Sequence, residues 1–566
     1  MAGAAGKACI LALSEGDVCT NFSLLAEAVG RQEDDVRKLL TNSLVATSSD
    51  TDRKLPLVYD NDGQIYLYRY FDYERQLAND IAKRLPGPAS RTIGDESQKF
   101  LDQRFSENAK NLAGRPDWQK KAVEMAFTNS LTIISGGPGT GKTTIVTALI
   151  AALAMDDNPP RIALVAPTGK AASRMEDAMR RQISTLDAGL RKRLPERAST
   201  IHMLLGASPG SGEYRYNRDN PLPYDLIVVD EASMIDLSLA SRLFAALPPD
   251  AGIVLLGDKD QLAAVEAGAV FAELAQQTSV PDRTGNSGKS KNVSSRQKPK
   301  DKKGNLSDCV LWLRENYRFS AESPIARLAS LVVGSKDEEL IGWLQDEKSG
   351  AIMWETIGEG LPSSVVNDLV RGFEPFVEAV KQGDPKTVLA AYENFCVLCA
   401  IRNGRRGING INEVISRRLR LEMAGDVAGD AHWYNGRPIM ITENDYGLGV
   451  FNGDIGVALS GKEGNLQVWF LAKDGAMRFV PPSSLPAHQT AFAITVHKSQ
   501  GSEFENVSLI LPEQDTPVLT RELIYTAVTR ARKSISIYGS PDILKLAVRR
   551  PTLRRSGLAK KINSVP

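Results

Sequence analysis

The stretch Leu131-Thr-Ile-Ile-Ser-Gly-Gly-Pro-Gly-Thr-Gly-Lys-Thr-Thr144 runs an apolar strand into a glycine-rich turn. The segment Ile145-Val-Thr-Ala-Leu-Ile-Ala-Ala-Leu-Ala154 then reads as a helix. A strand followed at once by a helix must cross over before its next partner strand, so this order predicts an α/β fold with a parallel sheet. Gly136 to Thr143 fits G-x-x-x-x-G-K-[ST]. Gly136, Gly137, Pro138, Gly139, Thr140 and Gly141 would curl the backbone so that successive N–H groups face phosphate oxygens, and the helix N-terminus adds partial positive charge. Lys142 is placed to reach the β- and γ-phosphates, the Thr143 hydroxyl can ligate Mg²⁺, and Thr144 closes the loop. The alternative is a glycine-rich turn that binds nothing. With strand, loop and helix in order, the expectation is a nucleoside triphosphate site using ATP and Mg²⁺.

Hydrolysis needs further groups. Asp225-Leu-Ile-Val-Val-Asp-Glu-Ala-Ser233 is a second buried-strand run, ending in two carboxylates. Asp230 fits the Mg²⁺-holding acid at the end of such a strand, and Glu231 is placed to polarise the attacking water. Gly252-Ile-Val-Leu-Leu256 leads into Gly257-Asp-Lys-Asp-Gln261, whose Gln261 can report on the γ-phosphate. Arg161-Ile-Ala-Leu-Val165 leads into Ala166-Pro-Thr-Gly-Lys170. Any one of these alone is a core strand with a polar stop. Together they build one crevice at the carboxyl ends of a parallel sheet, and predict an ATPase.

The 566 residues, 42% of them apolar, allow three or four domains, and the net charge of +1 excludes a bulk polycation. Nucleic acid, if bound, must lie in a local groove. No apolar run approaches the ~18 residues of a membrane span, and the first residues make too short an apolar stretch for a signal peptide. The expectation is a soluble, cytoplasmic protein that makes no membrane contact. Of five cysteines, Cys396 and Cys399 form a C-x-x-C, but inside the apolar run Phe395 to Ile401, which reads as a buried strand rather than a zinc site. The four histidines suggest no metal pair.

Along the chain, residues 1–105 carry helix-like patterns such as Phe22–Val29 and a strand pair about Asn61-Asp-Gly63, and predict a small N-terminal interaction domain. A first α/β domain spans 106–306. Within it, 276–306 turns polar, with eight basic and two acidic residues in 282–303, and reads as a flexible basic loop. A second α/β domain spans 307–566. Its stretch 430–485, with Arg437–Thr442, Phe451–Val457 and Leu466–Leu471 as short strands and Asn452-Gly453 as a hairpin turn, reads as an inserted small β-barrel. Arg521–Arg532 reads as one helix.

The ordered set Gly-Gly-Pro-Gly-Thr-Gly-Lys-Thr, Ala-Pro-Thr-Gly-Lys, Asp-Glu-Ala-Ser, Gly-Asp-Lys-Asp-Gln, Asn-Tyr-Arg, His-Lys-Ser-Gln-Gly-Ser-Glu-Phe and Tyr-Thr-Ala-Val-Thr-Arg-Ala resembles superfamily 1 helicases. More narrowly the chain resembles the RecD family, the alpha subunits of bacterial exodeoxyribonuclease V (RecBCD) complexes. Asp260–Val270, Phe451–Gly456 and the tail Arg554-Arg-Ser-Gly-Leu558 carry that narrower likeness. It covers nearly the whole chain from about residue 10.

The resemblance implies two RecA-like motor domains with ATP between them, and 5′→3′ translocation along single-stranded DNA. It implies that Gln119 contacts adenine and that Arg318 and Arg530 reach from the second domain to the γ-phosphate. Pro167, Thr168, Thr200, His202, Thr495 and His497 would line the DNA channel. Partners would be single-stranded and duplex-end DNA and the other subunits of a RecBCD-type complex, where the nuclease resides. Residues 206–224 lie where the family carries a hairpin at the strand-separation point, and Tyr214 and Tyr216 could stack on a base or simply form a surface hairpin. Family members begin with an additional N-terminal segment, so Met1 is expected to lie part-way into that domain. Two other readings compete: a free-standing 5′→3′ helicase, and an ATP-binding clamp that never translocates.

Overall fold

The computed structural model describes residues 1–565 except 52, 86–91, 113, 185, 196, 209–211, 277–303, 318–322, 425–431, 446, 462–464 and 473–474. The expected basic loop therefore lies almost wholly outside the described residues. Two parallel sheets organise the α/β chain. The first has six strands in the order 310–312, 131–135, 252–257, 226–229, 162–166 and 198–200, every pairing parallel. Leu226–Val229 is buried at all four positions, as a strand covered on both faces requires. The helix Lys142–Leu153 is buried continuously from Ile145 to Leu153, because helices Asp95–Arg104, Trp118–Thr128 and Gly169–Ile183 pack around it. Each Val, Leu or Ile in that run contributes about 1.5–3 kcal/mol on leaving water.

Strand Val310–Trp312 lies beyond the expected boundary at 306, yet it forms the edge of this first sheet. Its pairing partner is the strand that feeds the phosphate-binding loop, so the first unit extends past the basic segment.

The second sheet has five parallel strands in the order 352–356, 531–539, 504–510, 395–399 and 493–495. Phe395–Cys399 is buried throughout, which confirms the C-x-x-C as strand interior. All five cysteines are free and buried, and among the described residues no cluster of His, Cys, Asp and Glu could hold a metal ion. The expected helix Arg521–Arg532 stops at Val528, and Ala531–Gly539 is a strand. Its buried Ile535, Ile537 and Tyr538 lie in a strand paired on both sides, and this pairing overrides the helical pattern of the sequence.

Four short strands build an N-terminal sheet in the order 20–21, 64–67, 57–59 and 46–48, with Leu57–Tyr59 and Gln64–Leu67 antiparallel about Asn61-Asp-Gly63. A five-stranded antiparallel sheet, in the order 477–480, 466–471, 455–460, 438–441 and 488–490, branches from the second parallel sheet. Asn452-Gly453 forms the centre of a turn closed by the Asp454 N–H on Phe451 O at 2.9 Å, but within the long connection between Pro438–Ile441 and Ile455–Ser460 rather than at a tight hairpin between them. Beyond the last strand the chain turns back, and its terminal helix Leu558–Ser564 packs on the helix Tyr68–Ala82. Leu558 and Ile562 thereby join the core of the first unit. Among the described residues, no helix is long and apolar enough to cross a membrane.

Candidate functional site

Strand order places three loops side by side. Leu131–Ser135 neighbours Gly252–Gly257, which neighbours Leu226–Val229, so the phosphate-binding loop, Asp258 and Asp230 all emerge at one edge of the sheet. The Gly136 N–H donates to Gly257 O at 3.0 Å. Gly139 and Gly141 have φ of +81° and +82°, which only glycine adopts without strain. Lys142 Nζ donates to Gly136 O at 2.6 Å and Gly137 O at 3.3 Å, curling over the loop. The Thr140 hydroxyl closes the turn on Gly137 O at 2.8 Å, and Thr144 Oγ1 accepts from Gln182 Nε2 at 3.3 Å. The backbone carbonyl of Thr143 accepts from the Thr147 hydroxyl at 2.9 Å.

Gln119 is brought to this loop: its Nε2 donates to Thr140 O at 2.9 Å, and its Oε1 accepts from Asn108 at 3.0 Å. A Cβ at Gly141 would sit 2.0 Å from Gln119 Nε2, so the glycine is what admits that amide. Asn316 Nδ2 donates to Pro138 O at 2.9 Å and the Tyr317 N–H to Gly139 O at 2.8 Å, so the Asn-Tyr-Arg segment touches the loop. Arg318 itself lies outside the described residues.

Asp230 is half-buried beside Glu231, and desolvation first, then that neighbouring charge, push its carboxyl up to about 6, against the pull of Lys142. Glu231 sits at φ +51°, a left-handed conformation that costs a non-glycine residue roughly 1–2 kcal/mol. The strain turns the chain directly after Asp230, whose Oδ1 accepts the Glu231 N–H at 2.9 Å. Gln261 is buried, and its Nε2 donates to Asp258 Oδ2 at 3.0 Å. Asp258 is also raised by burial, with Lys142 opposing.

The second sheet supplies the opposite wall. Tyr525 OH donates to Asp258 Oδ2 at 3.0 Å, the Leu262 N–H donates to Thr526 Oγ1 at 2.9 Å, and Gln500 Nε2 donates to Leu262 O at 2.8 Å. Arg174 donates to Gly501 O at 2.6 Å and lies 3.2 Å from Glu503. Arg530 sits in the turn between helix Arg521–Val528 and the strand that follows. Its guanidinium, 2% exposed, donates to Thr526 O at 3.1 Å and Ser502 O at 3.0 Å. Burial lowers its pKa, opposed first by the charge of Glu231 across the cleft. Asp258, Tyr525 and Arg174 were not singled out from sequence. An acid at the end of an apolar strand, the signal that marks Asp230, marks Asp258 equally; the other two carry no such signal.

Pro167 and Thr168 follow strand Ile162–Ala166, Thr200 ends Ala198–Thr200, and Thr495 ends Ala493–Thr495, so all lie at the carboxyl ends of parallel strands. Thr168 and Thr200 cap their helices through Ala171 N and Met203 N, and Thr495 Oγ1 accepts from Lys498 N at 3.3 Å. His202 is exposed on its short helix. His497 is more enclosed, and burial, then the Arg554 cation, hold it below the usual imidazole range. Lys498 Nζ donates to Asn452 Oδ1 at 2.6 Å, tying the antiparallel sheet to this edge.

A cleft of about 1290 Å³ opens between helix Gly169–Ile183 and the antiparallel sheet, with Lys170, Arg180, Phe451 and Arg478 in its walls. It borders Thr168, Thr200 and His202 through Gly169, Ser199 and Met203, away from the phosphate-binding loop. Where a hairpin is expected at 206–224, the described residues hold the bridge Ala207 to Tyr214, with backbone bonds from Ser208 to Glu213, Arg215 to Gly206 and Tyr216 to Leu205. Tyr214 is half-buried, with the Arg242 guanidinium 4.7 Å over its ring and His202 6.2 Å away. Tyr216 carries Arg215 at 5.3 Å.

Residues 119–267 match the AAA domain family, and 490–538 match the UvrD-like helicase C-terminal domain. The RecBCD enzyme subunit RecD of Haemophilus influenzae is 34% identical, over 94% of this chain and 85% of that protein. The same subunit of Mycobacterium tuberculosis is 35% identical, over 98% and 90%. The ATP-dependent RecD2 DNA helicase of Deinococcus radiodurans is 29% identical, over 89% of this chain and 59% of that one. Among solved structures, Bacteroides Pif1 bound to single-stranded DNA aligns at 13% identity and a TM-score of 0.37, over 79% and 92%. Identity above 30% across nearly the full length of both chains decides the assignment: this chain belongs to the RecD family of RecBCD enzyme subunits.

Proposed function

We propose that the chain is an ATP-dependent 5′→3′ single-stranded-DNA translocase and helicase, the motor subunit of a RecBCD-type complex acting on double-strand DNA ends in the cytoplasm. The two parallel sheets are its two RecA-like motor domains, the N-terminal sheet its interaction domain, and the antiparallel sheet its small barrel insertion. The observation that carries the reading is that Tyr525 of the second α/β unit bonds Asp258 of the first, while Arg530, held by Thr526 and Ser502 of its own unit, feels the charge of Glu231. A clamp that only bound nucleotide would not need an arginine poised across the cleft. A finger of this kind is worth about 10³–10⁵ in turnover.

Thr143 and Asp230 fit a Mg²⁺ ion, since a half-buried carboxylate crowded by Glu231 is relieved by a cation. Thr143 and Asp230 would hold the ion, which would supply charge neutralisation at the phosphates. Lys142 then leaves its loop carbonyls for phosphate, Glu231 takes the proton of the attacking water, and Gln261 registers the γ-phosphate. Arg530 completes the site only when the domains close, so turnover is tied to motion. Pro167, Thr168, Thr200, His202, Thr495 and His497 line the edge along which the strand passes. Gln119 and Arg318 are proposed at the adenine and the γ-phosphate.

Strand displacement tests the polarity. A duplex with a 5′ single-stranded tail should be unwound in an ATP-dependent reaction, and one with only a 3′ tail should not. Equal unwinding of both, or a preference for the 3′ tail, contradicts the proposal.

A further inference from the structure

We propose that Tyr525 is a positioning residue for ATP hydrolysis: its hydroxyl, crossing from the second motor domain, orients the Asp258–Gln261 pair beside the phosphate-binding loop. The role rests on the ATPase reading above and deepens it.

Tyr525 is 7% exposed and its hydroxyl donates to Asp258 Oδ2 at 3.0 Å, a contact between residues 267 apart in sequence. Asp258 is 2% exposed; Oδ2 also accepts Gln261 Nε2 at 3.0 Å, and Oδ1 accepts the Asp260 N–H at 3.1 Å. One carboxylate oxygen is thus shared between the γ-phosphate-sensing glutamine and a donor from the opposite domain. The phenol also lies against the loop itself. A Cβ at Gly137 would be 2.9 Å from the Tyr525 oxygen and 3.9 Å from Asp258 Oδ2. A side chain at 137 would push the hydroxyl away, so the bare backbone there admits it.

The helix carrying Tyr525 is registered by its next residue, since Thr526 Oγ1 accepts the N–H of Leu262, which follows Gln261 directly. Two adjacent residues of one helix therefore fix both ends of the Asp258–Leu262 loop. When the cleft opens, Asp258 keeps only the donors of its own loop, Asp260 N–H and Gln261 Nε2, and the Asp258–Gln261 pair is held less firmly. When it closes, Asp258 is pinned by two donors on one oxygen, and Gln261 is held with one N–H bound and the other available to a phosphate oxygen. Tyr525 acts through Asp258, not on the reacting atoms.

The test is Tyr525→Phe, which keeps the ring and removes only the donor. Steady-state ATP hydrolysis at saturating single-stranded DNA should fall about tenfold in kcat, the effect of one buried hydrogen bond lost at the transition state. KM for ATP and the thermal midpoint should stay close to wild type. Combining it with Asp258→Asn should cost little beyond the worse single variant, because the two side chains act as one unit. A kcat within twofold of wild type, fully additive losses, or a parallel fall in stability overturns the role. Wild-type turnover no greater than that of Lys142→Gln would sink the ATPase reading instead, and the role with it.

Discussion

Lys561 Nζ of the terminal helix lies 2.5 Å from Glu74 Oε2, a carboxylate with no solvent exposure in the helix Tyr68–Ala82. The other oxygen of Glu74 accepts from the Ser556 hydroxyl at 2.6 Å and the Gly557 N–H at 2.7 Å. Residues 556–561 thus leave the second α/β unit and plug a buried acid on the first. Thr552 still bonds Glu522 in the second domain at 2.7 Å, and Arg555 bonds Asp17 at 2.9 Å. Only Leu553 and Arg554 lie between them.

Breaking this pair from one side leaves a buried charge uncompensated. Lys561→Met should lower stability to urea by about 3–5 kcal/mol, and Glu74→Gln in the same chain should restore most of the loss. A melt unchanged by Lys561→Met would show that the contact contributes nothing.

Glu231→Gln removes the proposed base while keeping size and shape. Turnover should fall about 10²–10⁴-fold, with fluorescent ATP-analogue binding within a few-fold of wild type. Loss of nucleotide binding would assign Glu231 a structural role, in line with its strained backbone.

The cysteines should be inert in the folded chain. Burial pushes Cys9 and Cys309 up to about 12, and Cys19, Cys396 and Cys399 higher still. A raised thiol pKa means little thiolate at pH 8. A thiol-reactive chromophore should therefore label none of them until denaturant is added, and all five thereafter. Rapid labelling of the native chain would contradict their burial.

His497 is depressed by burial, then by Arg554. Its neutral form belongs to the folded state, so its contribution is complete above about pH 6.5, the ordinary imidazole value. As pH falls through that value the unfolded chain takes up the proton first, and the contribution is lost. The stability gap between wild type and His497→Gln should be larger at pH 7.5 than at pH 5.5. A gap that widens on acidification would reverse the sign.

What could be read from sequence follows the range of the signal. The phosphate-binding loop, Asp230 and the buried strands are local patterns, in which residue type and spacing carry both the fold and the chemistry. Val310–Trp312 could not be placed, because its partner Leu131–Ser135 lies far back in the chain and three residues hold no periodicity. Arg521–Arg532 looks helical until its last residues are seen to complete a central strand. Tyr525 against Asp258, and Lys561 against Glu74, join residues hundreds of positions apart, and neither side chain announces its partner.

ATP hydrolysis by the purified, folded chain, with and without single-stranded DNA and with Lys142→Gln as the blank, tests the central claim most directly. The account predicts strong stimulation by DNA in the wild type and none in the variant. Turnover indifferent to DNA, or equal in the two proteins, would contradict it.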